Sequence, residues 1–285
     1  MANDPVTSVS RPRPGDGFVQ SFARGLEVIR SFSATSPEMN ISEVAERTGL
    51  TRAGARRILL TLLQLGYVEQ RGKNFRLSPR ILDLGFAYLS SMPFWNRAEP
   101  MMERLADQTG ESCSLAVLDD TEVVYVMRVH THKILSVNLG VGSRLPAYCT
   151  SLGRVLLAGL DDAALLQRLL RSQRLANTAH TVTDLAELQR LILATRANGW
   201  ALVCEELELG LVAVSAPVQD HTGRVVAALN VSGQVGRTTP VEMQNRLLPA
   251  LLETAAHLSL QMGCPPARVL ARLGRPGQRG GGPAY

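Results

Sequence analysis

Gly49-Leu50-Thr51 leaves only three residues between two stretches of helical periodicity, and a connection that short makes the two helices cross steeply. Upstream, Asn40 or Ser42 can cap a helix running to residue 48, Asn40 and Glu43 have capping-box spacing, and Gly49 can take the left-handed conformation that ends it. Downstream, the Thr51 hydroxyl can accept from free N–H groups two or three residues on, which opens a helix over 52–65. At about 100° per residue, Ala55, Ile58, Leu59, Leu62 and Leu65 gather on one side of it, and Ala53, Arg56, Arg57, Thr61 and Gln64 on the other. Phe22, Leu26, Ile29 and Phe32 predict an earlier amphipathic helix over 21–33, and residues 66–77 read as strand, basic turn and strand. Three short helices and a basic-tipped hairpin predict a winged helix-turn-helix.

The chemistry of the exposed side suits DNA. Small Ala53 and Gly54 let the third helix sit deep in a major groove, where Thr51, Arg52 and Arg56, with Arg57 beside them, reach phosphates or base edges. Arg71, Lys73 and Asn74 at the hairpin tip aim at flanking phosphates or the minor groove. The charge distribution agrees: residues 1–80 hold 12 Lys and Arg against 7 Asp and Glu, and the remainder holds 18 of each, so the whole excess of +5 lies at the front. With 28 of the 30 basic residues being Arg, base composition of the genome is an equally good source of that excess, and charge by itself adds little.

Composition narrows the rest. A chain of 285 residues, 45% hydrophobic, has room for a small domain and a medium one. No apolar run nears the ~20 residues of a membrane span and no basic-then-apolar leader opens the chain, which predicts a cytoplasmic protein. Cys113, Cys149, Cys204 and Cys264 are widely spaced, so reduced, mostly buried thiols are expected; His130 and His132 read as exposed residues at a hairpin end, and neither metal nor cofactor is predicted.

The chain is expected to comprise a disordered leader (1–17), the winged helix-turn-helix (18–78), a linker helix (79–92), an α+β domain (93–263) and a disordered tail (264–285). In the larger domain, strands are predicted over 112–118, 123–129, 134–139, 200–203, 212–218 and 224–231, with helices over 96–109, 151–160, 162–170, 184–198 and 239–262. No nucleophile elbow or phosphate loop occurs, and Gly140-Val141-Gly142 lacks the third glycine of a dinucleotide motif, Leu145 standing in its place. Glu205, Glu206 and Glu208 read as a solvated, mobile acidic loop in place of paired catalytic acids. The chain is therefore read as a regulator and not an enzyme, an enzyme acting on a small molecule being the competing class. In the loop 145–150 and the helix start at Ser151, free N–H groups with the Thr150 and Ser151 hydroxyls suit a carboxylate.

Residues 18–26, Ser42-Glu43-Val44-Ala45 with Thr51-Arg52-Ala53, residues 142–154 and residues 224–232 resemble the IclR family of bacterial regulators. Within it the likeness is to the branch controlling protocatechuate and 4-hydroxybenzoate catabolism. The resemblance implies a GAF-like effector-binding domain with an antiparallel sheet, and a homodimer or homotetramer on a double-stranded DNA operator. It places Ser151 and Leu152 at the helix start of the effector pocket, Ile134, Val137 and Leu145 as apolar walls, Val203 and Ala213 across it, and Asn230 and Ser232 pointing inward. Val203 stands where some members carry an acid, which favours an aromatic or longer acid over a small keto acid. Arg128 is a further candidate for a second carboxylate. The expected effector is protocatechuate, 4-hydroxybenzoate or β-ketoadipate; the alternative is an IclR-type regulator of a glyoxylate or pyruvate type of pathway.

Overall fold

The computed structural model describes residues 15, 17–91, 95–131 and 139–273, and the chain divides into two compact units, residues 1–91 and 92–285. The first contains α1 (Gln20–Ser31), β1 (Glu38–Asn40), α2 (Ile41–Thr48), α3 (Arg52–Leu65), β2 (Val68–Arg71), β3 (Asn74–Leu77), a 3-10 turn (Pro79–Ile81) and α4 (Leu82–Ser90). Its helix boundaries are set by side chains. Asn40 Oδ1 accepts from the N–H groups of Ser42 and Glu43 at 2.8 and 3.2 Å while the Glu43 carboxylate accepts from Asn40 N at 2.7 Å, and Gly49, at φ 66°, closes α2. Thr51 Oγ1 then accepts from Gly54 N at 3.1 Å to open α3. The three-stranded sheet runs β1-β3-β2. β1 was not expected, since three residues are too few to display alternation.

Val28, Val44, Ala55, Leu59, Val68 and Phe75 are at the centre of this unit's core, with Leu50 packed on it at the corner between α2 and α3. Two expectations are corrected here. Leu65 is 51% exposed and does not join the core face of α3, and Phe22 and Leu26 are 68% and 42% exposed, so α1 buries only Val28, with Ile29 packed on the core beside it. An apolar stripe is visible in sequence; how far the partner surface extends beneath it is not.

The second unit contains α5 (Trp95–Thr109), β4 (Ser112–Asp119), β5 (Glu122–Val129), β6 (Arg144–Pro146), α6 (Ser151–Ala158), α7 (Asp162–Arg171), α8 (Leu185–Asn198), β7 (Ala201–Cys204), β8 (Leu211–Gln219), β9 (Val225–Gln234), α9 (Pro240–Glu242), α10 (Leu248–Gln261) and α11 (Pro266–Leu273). Its strands form one antiparallel sheet in the order β6-β5-β4-β9-β8-β7. Alternation sends Cys113 toward α5, where its thiol meets Met102 O, and sends Ser114 and Ser215 to the opposite face, where Ser215 meets α6. Every residue of α6 is buried. The strand expected over 134–139 lies outside the described residues except for Leu139, which belongs to no strand.

Two further expectations change. The last long helix is interrupted by a wider π turn over Met243–Leu247, because Pro249 has no N–H to donate back into the turn before it. The tail is not structureless from residue 264: Pro266 stands at the first position of α11, where its missing N–H costs nothing, and Cys264 and Val269 are buried.

Candidate DNA-reading face and effector cavity

On the first unit, Thr51, Arg52, Ala53, Arg56 and Arg57 are all exposed along one side of α3. None of Arg52, Arg56 and Arg57 has a carboxylate at ion-pair distance among the described residues, so three guanidinium groups are available to an external anion. Gly72, at φ 60°, makes the tight turn between β2 and β3 that leaves Arg71 and Lys73 exposed, with Asn74 half-buried. Arg76, on the same hairpin, is held by Glu69 at 2.6 Å instead. The helix-turn-helix thus separates its arginines into those tied down in the protein and those left for a partner.

In the second unit, Leu145, Ser151, Leu152, Val203, Ala213, Asn230 and Ser232 line one cavity of about 280 Å³. Register brings four of them together: Val203 pairs with Ala213, Ala213 with Ser232, and Asn230 stands two residues from Ser232 on the same face. Ile134 and Val137 lie outside the described residues. The wall also contains Tyr125, Arg128, Leu139, Cys149 and the loop from Glu206 to Gly210, which spacing rules did not single out, apart from Arg128.

The start of α6 forms one end of the cavity. A Cβ on Gly153 would lie 2.0 Å from Ala147 O, so only glycine allows the helix to press this closely on the loop before it. Thr150 is fully engaged, donating to Pro146 O and accepting from Gly153 N at 3.1 Å each, which removes it from the expected ligand donors. Ser151 Oγ accepts from Ser215 Oγ at 2.7 Å and keeps its own proton, and the N–H groups of Ser151 and Leu152 in the first turn have no helical acceptor. Burial pushes the Cys149 thiol up to about 11, so it stays protonated and uncharged beside them.

The acidic loop is not the mobile, solvated segment expected. Glu206 is buried and receives Arg154 of α6 at 2.7 Å and Val182 N at 3.2 Å, while Arg154 also donates to Tyr148 O. The Thr178 and Thr181 hydroxyls hold the carbonyls of Glu205 and Glu206 at 2.6 Å each, and Glu205, at φ 56°, accepts from Gly210 N. A buried arginine four residues into α6 was the available signal, because such a charge requires a partner. Among the described residues, no group of three His, Cys, Asp or Glu side chains is placed to hold a metal, and the four cysteines are free and buried.

Residues 21–72 match the IclR helix-turn-helix domain and residues 86–260 match the C-terminal domain of bacterial transcriptional regulator IclR. The chain is 43% identical over 246 residues to the Pca regulon regulatory protein of Pseudomonas putida, covering 86% of this chain and 84% of that one. It is 34% identical over 248 residues to the p-hydroxybenzoate hydroxylase transcriptional activator of Acinetobacter baylyi, covering 85% and 92%. Among solved structures, an IclR homologue complexed with 4-hydroxybenzoate from Microbacterium hydrocarbonoxydans superposes with a TM-score of 0.74 at 25% identity, covering 85% of this chain and 98% of the other.

Proposed function

The chain belongs to the IclR family of bacterial transcriptional regulators, and from that premise we propose that it is a cytoplasmic, operator-binding regulator of aromatic-acid catabolism that responds to a small carboxylate. The observation that carries the effector reading is the placement of two open N–H groups of α6 at one end of a cavity with apolar Leu145, Leu152, Val203 and Ala213 in its walls. A carboxylate held at the helix start, with a ring or chain against those walls, satisfies both features. Asn230 supports a distal hydroxyl or keto group: its Oδ1 accepts from Ser114 N at 2.9 Å, and its Nδ2 has no partner among the described residues. No helix of the described residues is long and apolar enough to cross a membrane.

Thr51, Arg52, Ala53, Arg56 and Arg57 read the operator, and Arg71, Lys73 and Asn74 grip its flanks. The regulator acts as a homodimer or homotetramer, because one winged helix covers only a half-site. The exposed Phe18, Phe22 and Leu26 and the exposed Leu82, Leu84, Phe86 and Tyr88 supply apolar surface for that association. It has no catalytic role.

Calorimetric titration with protocatechuate, 4-hydroxybenzoate and β-ketoadipate tests the effector. At least one binds below millimolar, and Ser151→Pro abolishes it: proline suits the first helical position but has no N–H. Binding of glyoxylate or pyruvate in place of all three defeats the aromatic reading and leaves a regulator of a small-keto-acid pathway.

A further inference from the structure

The cavity has a second polar end, and it exists because β5 is irregular. Tyr125 and Arg128 are three residues apart, a spacing that puts side chains on opposite faces of a regular strand. In β5, however, Met127 pairs with Leu115 and Tyr125 with Ala116, so Val126 is an extra residue, bulged out of the ladder. The bulge returns Tyr125 and Arg128 to one face, opposite Ala116 and Ser114, and both line the cavity.

Neither group is satisfied among the described residues. Tyr125 is only 4% exposed, and its hydroxyl has no partner among the described residues. Since no fully buried polar side-chain atom there lacks one, that hydroxyl opens on the cavity. Among the described residues the Arg128 guanidinium donates only to Ser114 Oγ at 3.2 Å and His130 Nδ1 at 3.4 Å, both neutral acceptors, and no carboxylate there pairs with it. Of the two acids on the cavity wall, Glu206 is neutralised by Arg154 and Glu208 has a contact of its own. A half-buried arginine facing a cavity without a counter-ion is an incomplete ion pair.

The two ends are connected across the sheet. Arg128, Ser114, Asn230 and Ser215 stand directly opposite one another on β5, β4, β9 and β8. At strand spacing this row runs roughly 14 Å between Cα atoms, with Arg128 at one end, Ser151 over Ser215 at the other, and the Asn230 amide between them. A two- or three-carbon acid cannot reach both ends. A six-carbon chain or a para-substituted ring can.

Building on the carboxylate reading above, we infer that the effector is a dianion, a dicarboxylic acid whose first carboxylate sits on the α6 amides and whose second is bound by Arg128 and Tyr125. The test uses pairs of probes that differ only by the second carboxylate: adipate against hexanoate, and terephthalate against benzoate, each titrated calorimetrically into the full chain. In at least one pair the diacid binds about tenfold or more tightly than its monoacid, the range of a desolvated charged hydrogen bond. That ratio falls to near one in Arg128→Met and is partly restored in Arg128→Lys. Tyr125→Phe, which removes one oxygen and leaves packing intact, lowers the diacid affinity and not the monoacid affinity, and serves if Arg128→Met does not fold. Equal binding within both pairs overturns the inference, as does a ratio that survives Arg128→Met or no binding by either diacid. Monoacids that bind equally well and are lost in Ser151→Pro leave the α6 site standing and remove only the second end.

Discussion

Arg56 and Arg154 are the same residue type, one in each unit, and the protein uses them in opposite ways. Arg56 stands exposed on α3 with no carboxylate among the described residues to hold it, in a unit whose core is small and whose polar surface faces outward. Arg154 is 4% exposed inside α6, bound to Glu206 and to Tyr148 O, in a unit whose candidate site is a cavity. On α3 of the first unit charge is kept free of the fold, although Arg76 on the hairpin is tied to Glu69. In the second, charge belongs to the framework, and recognition falls to the few groups the framework leaves open. A substitution should therefore separate the two arginines cleanly, stability on one side and DNA affinity on the other.

The largest separation is expected at Arg154. Arg154→Met leaves Glu206 buried without its partner, and breaking a buried pair costs about 3–5 kcal/mol. The loss depends on pH in a calculable direction. Burial already holds the Glu206 carboxyl above the usual carboxylate range, against the pull of Arg154 and of Val182 N. A group whose folded-state pKa is raised stabilises the fold below its unfolded value of about 4.3 and loses that contribution as pH rises through the folded value. Without Arg154 the folded value rises further, so the deficit of Arg154→Met is greatest near neutral pH and shrinks as pH falls. Adding Glu206→Gln removes this pH dependence. Melting curves of both variants across pH decide it, and a deficit constant with pH would mean that Glu206 is not the group left uncompensated.

At Arg56 the consequence moves from stability to affinity. Arg56→Ala should leave the melting temperature in place and weaken binding to DNA selected from a random pool by about 1–3 kcal/mol, while relaxing the preference at one base position. Lys73→Ala should weaken all sequences alike and reduce the salt dependence by about one phosphate contact. Fluorescence anisotropy on selected and scrambled duplexes separates the two, and equal effects on both duplexes for Arg56→Ala would make α3 an anchor and not the reader.

The two units also differ in how much of them sequence reveals. Local rules define the first: Asn40 with Glu43, Gly49 and Thr51 specify their caps within a few residues, and the exposed side of α3 follows from helical period alone. Where period fails, at Leu65, Phe22 and Leu26, the missing information is what lies against the stripe, which is non-local. In the second unit, same-strand spacing was enough for Asn230 and Ser232, because β9 is regular at that point. It could not group Tyr125 with Arg128, since the bulge at Val126 is a property of pairing with β4 and not of β5 itself. Glu206 was misread for a related reason: its partners, Arg154 and Val182, are 52 and 24 residues away. β1 and β6, of three residues each, exist only through their neighbours.

The smallest effect bears on whether the first unit is as local as this comparison makes it. The Asn40 side chain and the Glu43 carboxylate satisfy three N–H groups at the start of α2, with no help from the rest of the unit. Asn40→Ala removes the acceptor for two of them, and loss of such a cap costs about 1 kcal/mol. Because Asn40 also ends β1, whose register pairs it with Asn74 at the hairpin tip, a backbone role shared with the sheet would enlarge that cost. The backbone amide and carbonyl persist in Asn40→Ala, Asn40→Asp and Asn40→Gly alike, so the three variants isolate the side chain. A purely local cap ranks them Asp near wild type, Gly slightly below and Ala lowest, all within about 1 kcal/mol of one another. Chemical denaturation that finds Gly well below Ala would show that the extended β1 backbone, which glycine holds poorly, outweighs the cap at this position.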